Sequence, residues 1–113
     1  MSKNNVAHTE RAAEEKLKLE IEREVRTALA ELGSAKARVR AVLESVSQAE
    51  EALRDERLKY ESGRSAINFV LDAEAALLTS RSQLRQAQRS IAIASLLLDL
   101  SLGRIQPAAV SRP

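Results

Sequence analysis

The residues that first suggest chemistry in this 113-residue chain are the carboxylates of Asp72 and Glu74. Paired acids act as general acid and general base when their side chains converge on one substrate. Two positions apart on a helix, these two side chains diverge, and neither a histidine nor a second acid pair lies near them in the sequence. We therefore expect both to be acids in the first turn of a helix, where they complement the helix dipole.

Other reactive groups are scarce in the sequence. The chain has no cysteine, and its one histidine, His8, has no second metal ligand at a suitable spacing. The sequence contains no nucleophile–base pair and no glycine-rich phosphate loop. It therefore predicts a protein that is not an enzyme and that uses no cofactor and no metal.

Two further features have both a functional and a structural interpretation. Arg81, Arg85 and Arg89 stand four residues apart, a stripe that can touch phosphate but more often forms a solvated face or pairs with another hairpin. Tyr60 can stack on a ligand, but a tyrosine at a seam position more often packs between helices. We prefer the structural interpretation for both.

The composition indicates long helices. Hydrophobic residues make up 44% of the chain and charged residues 30%, but aromatic residues only 2%, with 3 glycines and 2 prolines. These values are typical of a coiled coil and exclude a β-sandwich, a nucleotide-binding α/β domain and a disulfide scaffold. The net charge of +2 does not indicate a nucleic-acid partner.

No segment of the sequence reads as a membrane span or an export signal. The most apolar run, Ile91–Leu100, contains Asp99 and is half as long as the roughly 20 residues that a spanning helix needs. Met1–Lys16 is polar and charged, without the apolar stretch of a signal peptide. We expect neither a transmembrane helix nor an export signal in this chain.

The first helix is predicted from a heptad stripe. From Ile21 to Leu53 the apolar positions alternate in steps of four and three residues, with a polar slip at Glu56 before Tyr60. The stripe consists of Leu17, Ile21, Val25, Ala28, Leu32, Ala35, Val39, Val42, Val46, Ala49, Leu53 and Tyr60. We predict a helix over residues 10–61, preceded by a disordered tail over residues 1–9.

A second helix follows one interruption at Ser62–Ser65. Gly63 suits the left-handed conformation that ends many helices, and Ser65 suits the cap of the next. Beyond it, large and small residues alternate along one seam, the large ones being Val70, Leu77, Leu84, Ile91 and Leu98, and the small ones Ala66, Ala73, Ser80, Ala87, Ala94 and Ser101. We predict a helix over residues 66–102, ending near Gly103, and a C-terminal tail over residues 104–113.

Two long helices joined by four residues must run antiparallel. The predicted fold is all-α, a long two-helix coiled-coil hairpin that brings Tyr60 near Ile67 and Leu53 near Glu74–Leu77. Several apolar residues fall outside the seam, namely Leu29, Leu43, Leu71, Leu78, Ala92, Ile93, Leu97 and Leu100. One hairpin cannot cover them, so we expect further helices to pack on it and the isolated chain to oligomerise or aggregate.

The residues around the interruption resemble a known family. The tip reads Tyr60-Glu61-Ser62-Gly63, the returning helix begins Val70-Leu71-Asp72-Ala73, and the ladder closes at Leu102-Gly103. This order and spacing resemble the last helical hairpin of the TolC-like outer-membrane efflux proteins over about residues 10–103. Without the family's strands and first hairpin, the chain resembles the C-terminal piece of such a protein.

The resemblance implies a role in export. It implies one segment of a homotrimeric outer-membrane channel whose helices form a duct on the periplasmic side. Its tip would dock the periplasmic adaptor protein of a multidrug, metal or type I secretion system, next to the inner-membrane pump. By position, Ser62, Gly63, Arg64 and Ser65 fall at the adaptor-docking tip.

The same resemblance places two residues near the duct's inner entrance, Tyr60 and Asp72. Two positions depart from the family pattern: Phe69 stands where the family often has a polar or acidic residue, and Ser65 where some members have a basic one. The alternative interpretation of the whole sequence is a stand-alone coiled-coil module for protein–protein interaction. Such a module needs neither the Tyr-x-x-Gly tip nor the ladder of large and small residues.

Overall fold

The fold consists of two long α-helices joined by a tight turn. The computed structural model describes the backbone of residues 2–105 and the side chains of residues 3–103. Helix α1 spans Ser2–Glu61 and helix α2 spans Ile67–Ile105, and no strand occurs between residues 2 and 105. The antiparallel helical hairpin predicted from the sequence is therefore confirmed, as is the position of its turn.

The helix ends differ from the predicted ones. Residues 2–9, expected to be a disordered tail, belong to α1, because no glycine or proline interrupts the helix there. The Thr9 hydroxyl donates to the carbonyl of Asn5 at 2.8 Å, as a residue in a regular helix does. Helix α2 continues through Gly103 to Ile105, and the rest of the predicted tail, residues 106–113, lies outside the described residues.

The chain divides into two compact units, of which residues 33–92 form the one that contains the turn. Its core is a cluster of four buried side chains, two from each helix: Val46, Leu53, Val70 and Leu77. Four partly buried residues pack against them, namely Val42, Ala49, Ala73 and Leu84. Large and small side chains thus interlock along the seam as the sequence predicts.

The second unit pairs the beginning of α1, up to Leu32, with the end of α2, from Ile93 onward. Small residues form its buried part, since Ala28 and Ala94 are its only described side chains in the core. Alanine at these positions buries little apolar surface. We infer that this unit contributes less to stability than the unit around the turn.

Burial follows the predicted heptad stripe along most of α1. Every apolar stripe position from Ile21 to Leu53 is buried or half-buried. The stripe predictions at the two ends are wrong: Leu17 is 50% exposed and Tyr60 is 46% exposed. Leu17 lies in the part of α1 that extends past the described end of the shorter helix α2.

Many large apolar side chains lie outside the seam and are exposed. The predicted flank residues Leu29, Leu43, Leu71, Leu78, Ile93, Leu97 and Leu100 are all between 45% and 63% exposed. Neither described helix contains an apolar stretch long enough to cross a bilayer. The exposure of these flank residues agrees with the sequence analysis, because a single hairpin does not cover them.

The burial pattern predicts that replacing two leucines of α1 with alanine will have different effects on the free energy of unfolding. Leu53→Ala should lower the free energy of unfolding by about 2–5 kcal/mol, because Leu53 is only 6% exposed and its loss leaves a cavity at the seam. Leu43→Ala, at a 49% exposed position ten residues earlier, should change it by less than about 0.5 kcal/mol. Urea denaturation followed by circular dichroism measures both at one protein concentration. Equal losses would contradict the assignment of the seam.

Candidate docking site at the tip of the hairpin

Backbone hydrogen bonds of a Schellman motif end helix α1. The Gly63 amide donates to the carbonyl of Tyr60 at 3.0 Å, and the Arg64 amide donates to the carbonyl of Lys59 at 2.8 Å. Gly63 has a φ of 75°, the left-handed conformation that the motif requires at this position. The chain therefore reverses at Gly63, as the sequence predicts.

The side chains of Ser62 and Arg64 reinforce this turn. The Ser62 hydroxyl donates to the carbonyl of Leu58 at 2.8 Å, and its oxygen accepts from Arg64 Nε at 3.1 Å. Both residues are exposed. The Nη atoms of the Arg64 guanidinium form no hydrogen bond and no ion pair within the described residues, so they are available to a partner.

A polar contact that the sequence did not reveal links α1 to the turn. Glu56 occupies the seam position after Leu53, and its carboxylate accepts from the Ser65 hydroxyl at 3.3 Å. Lys59 Nζ lies 3.7 Å from the other carboxylate oxygen of Glu56. The predicted role of Ser65 as a helix cap is wrong, because α2 begins at Ile67, two residues later, and within the described residues no amide of α2 donates to the Ser65 hydroxyl. The polar slip in the heptad stripe was the only signal of this contact.

Asp72 and Glu74 both lie beyond the first turn of α2, which contains no acid. The prediction that they complement the helix dipole from the first turn is therefore wrong, because Asp72 and Glu74 are the sixth and eighth residues of α2. Glu74 instead accepts a hydrogen bond from Arg57 of α1 at 3.3 Å. Both of these side chains are about half exposed, so the pair contributes at most about 1 kcal/mol and mainly helps to set the register.

The surface next to the turn carries several exposed apolar side chains. It carries the only tyrosine and the only phenylalanine, Tyr60 and Phe69, and both are exposed, as are Leu58 and Ile67. Tyr60 therefore does not pack at the seam as predicted, because Glu56 and Ser65 close the seam one turn earlier. Asp72 is exposed as well and has no polar contact within the described residues.

The turn also exposes backbone acceptors. Within the described residues, none of the hydrogen bonds of the tip uses the carbonyl oxygens of Ser62, Gly63 or Arg64. An ideal Cβ placed on Gly63 meets no atom within 4 Å, so the apex is open to solvent. No cluster of metal-ligating residues occurs in the described part of the chain. The arrangement is suited to binding another protein through carbonyls, a guanidinium and apolar side chains.

Comparison with known proteins finds one protein-family model that matches the chain. The family model described as outer membrane efflux protein matches residues 4–104, which includes both helices and the turn. No curated protein and no solved structure matches the chain.

The positive φ of Gly63 predicts how substitutions at this position change the stability of the hairpin. Gly63→Val should destabilise the hairpin by about 1–2 kcal/mol, because an L side chain resists a φ of 75°. Replacing Gly63 with D-alanine in a synthetic chain should cause no loss of stability, because a D residue favours positive φ and there is room for its methyl group. Urea denaturation compares the two variants. An equal loss in both would show that crowding, and not backbone conformation, requires glycine.

Proposed function

Because residues 4–104 match its model, the chain belongs to the outer membrane efflux protein family, and from this premise we propose that its hairpin forms part of the wall of a periplasmic export duct. The family is one of outer-membrane transport proteins and not of enzymes. The proposed duct is homotrimeric and carries its cargo outward from an inner-membrane pump. The cargo is a drug, a metal ion or a secreted protein, and the pump selects it.

The exposed leucines support a role as a wall element. A hairpin that worked alone would gain nothing from large apolar side chains on its outer surfaces, and their exposure would favour aggregation. In a duct, each hairpin has neighbours on two sides, so its outer apolar positions become buried between helices. Leu29 and Leu43 on α1, and Leu71 and Leu78 on α2, are side chains of this kind.

We propose that the tip, Ser62–Ser65, docks the periplasmic adaptor protein. The free carbonyls at the apex are the single observation on which this assignment depends, because they offer acceptors that a donor side chain of the adaptor can reach. Arg64 adds donors for carbonyls or carboxylates of the adaptor. Ser65 is half-buried against Glu56 and acts by holding the turn in shape.

Tyr60 and Asp72 are proposed to line the inner entrance of the duct. Both side chains are exposed and lie within a few turns of the tip. Exposed Phe69, close to Asp72 in α2, adds an apolar ring to this region. This combination favours contact with cargo that has both apolar and polar groups.

Site-specific photo-crosslinking in cells tests the docking role. A benzophenone amino acid in place of Arg64 should capture the periplasmic adaptor, because Arg64 is exposed at the apex. The matched control places the same amino acid at Lys36, another exposed position of α1 far from the turn, and should capture no adaptor. Adaptor captured from both positions, or from neither, would contradict docking at the tip.

A further inference from the structure

The seam of the hairpin separates two flanks, and the ion pair between Arg57 and Glu74 identifies one of them. Each step of four residues in the heptad pattern begins with a residue on one side of the seam and ends with a residue on the other. Arg57 and Glu74 both begin such a step, and they meet across the seam at 3.3 Å. Residues three or four positions from them on the same helix lie on the same side, which is the charged flank.

The charged flank combines ionised side chains of both signs with leucines. Between residues 33 and 92 its charged members on α1 are Lys36, Arg40, Glu50, Arg54, Arg57 and Glu61, and on α2 they are Glu74, Arg81 and Arg85. Its leucines are Leu43, Leu71 and Leu78, and all of these side chains are exposed. Arg54, Arg57 and Arg81 line one groove between the helices, which agrees with their place on one side.

The opposite flank has a long neutral stretch. It consists of Ala41, Ser45, Gln48 and Ala52 on α1, and of Ala76, Thr79, Gln83, Gln86 and Ser90 on α2. Ser90 is half-buried and the others are exposed. Charged residues return on this side at Arg38 in one direction, and at Asp55, Lys59 and Asp72 towards the turn. This stretch is the neutral flank.

The neutral flank offers few groups that could hold a passing molecule. The hydroxyls of Ser45, Thr79 and Ser90 each donate to a carbonyl four residues earlier in the same helix, at 3.1–3.3 Å. Apart from small side chains, the flank presents only glutamine amides. It has neither fixed charges nor the large apolar side chains that line most ligand pockets.

We propose that the neutral flank faces the lumen of the duct and that the charged flank faces outward. This inference rests on the proposed role of the hairpin as a duct wall, and it adds which side of the wall meets the cargo. A channel conducts only if its lining releases what it binds. The neutral flank meets this requirement for cargo of either charge, whereas the arginines and leucines of the other flank would retain anionic and apolar molecules.

The residues near the turn fit the same orientation. Phe69 and Asp72 stand one heptad before Ala76 and Thr79 on α2, so they continue the neutral flank towards the tip. Both belong to the proposed inner entrance. In this orientation the cargo first meets an aromatic ring and a carboxylate at the entrance, and then a small and neutral lining that discriminates little between charges.

Charges introduced into the lining test the orientation. The whole channel that contains this hairpin is placed in a planar lipid bilayer under a KCl gradient, and its reversal potential reports the ratio of K⁺ to Cl⁻ permeability. Gln83→Glu should shift the reversal potential towards that of K⁺, and Gln83→Lys towards that of Cl⁻, because the added charge lies in the lumen. Near 0.1 M salt the screening length is about 10 Å, close to the width of one helix, so charges on the outward flank are screened from the lumen.

Arg81 provides the matched control, because it is an exposed residue of α2 on the charged flank, near Gln83 in sequence. Arg81→Gln and Arg81→Glu should leave the reversal potential unchanged, and circular dichroism should show the same helical content in every variant. Shifts from the Arg81 variants as large as those from the Gln83 variants would overturn the orientation and leave the duct wall standing. Conducting channels without a shift in any variant would contradict the duct wall itself and this proposal with it.

Discussion

The packing of Leu53 and Leu77 with Val46 and Val70 sets the register on which the other contacts depend. Large and small side chains alternate along this seam, so a shift of one helix by a single turn would place large residues against each other. The same register brings Arg57 to Glu74 and leaves Ser65 within reach of Glu56. The chain reverses at Gly63, whose φ of 75° allows the hydrogen bonds that end α1 to form.

A hairpin of two helices can bury only one stripe of each helix. The apolar side chains outside that stripe stay exposed, and the proposed role in a wall of helices rests on them. The seam closes at the polar contact between Glu56 and Ser65, so the aromatic side chains of Tyr60 and Phe69 remain at the surface. The outer faces of both helices keep exposed leucines, such as Leu71. The proposed wall of helices would cover this apolar surface, and the proposal starts from the chain's membership in the outer membrane efflux protein family.

Heptad spacing was sufficient to predict the helices, the turn and most of the seam, because apolar periodicity over many turns leaves one consistent pairing. The errors have local causes. Residues 2–9 were predicted to be a disordered tail because they are polar. They are helical because they contain no glycine or proline that would break the helix. Tyr60 was misassigned because Glu56 and Ser65 form a long-range polar contact that spacing does not encode. The start of α2 at Ile67 was predicted within one residue, but Asp72 is the sixth residue of that helix, so it lies in the second turn and its assignment to the first turn was a counting error.

The most direct test of the central claim, the closed hairpin, is a distance between two spin labels. The chain has no cysteine, so Ser45→Cys with Gln83→Cys directs labels to one exposed residue on each helix. Diluting labelled chains with unlabelled ones isolates the intramolecular distance in pulsed electron paramagnetic resonance. Two helices side by side, each about 10–12 Å wide, predict roughly 20–25 Å between the labels. A helix continuous through Gly63 would hold them about 57 Å apart, and that result would contradict the hairpin.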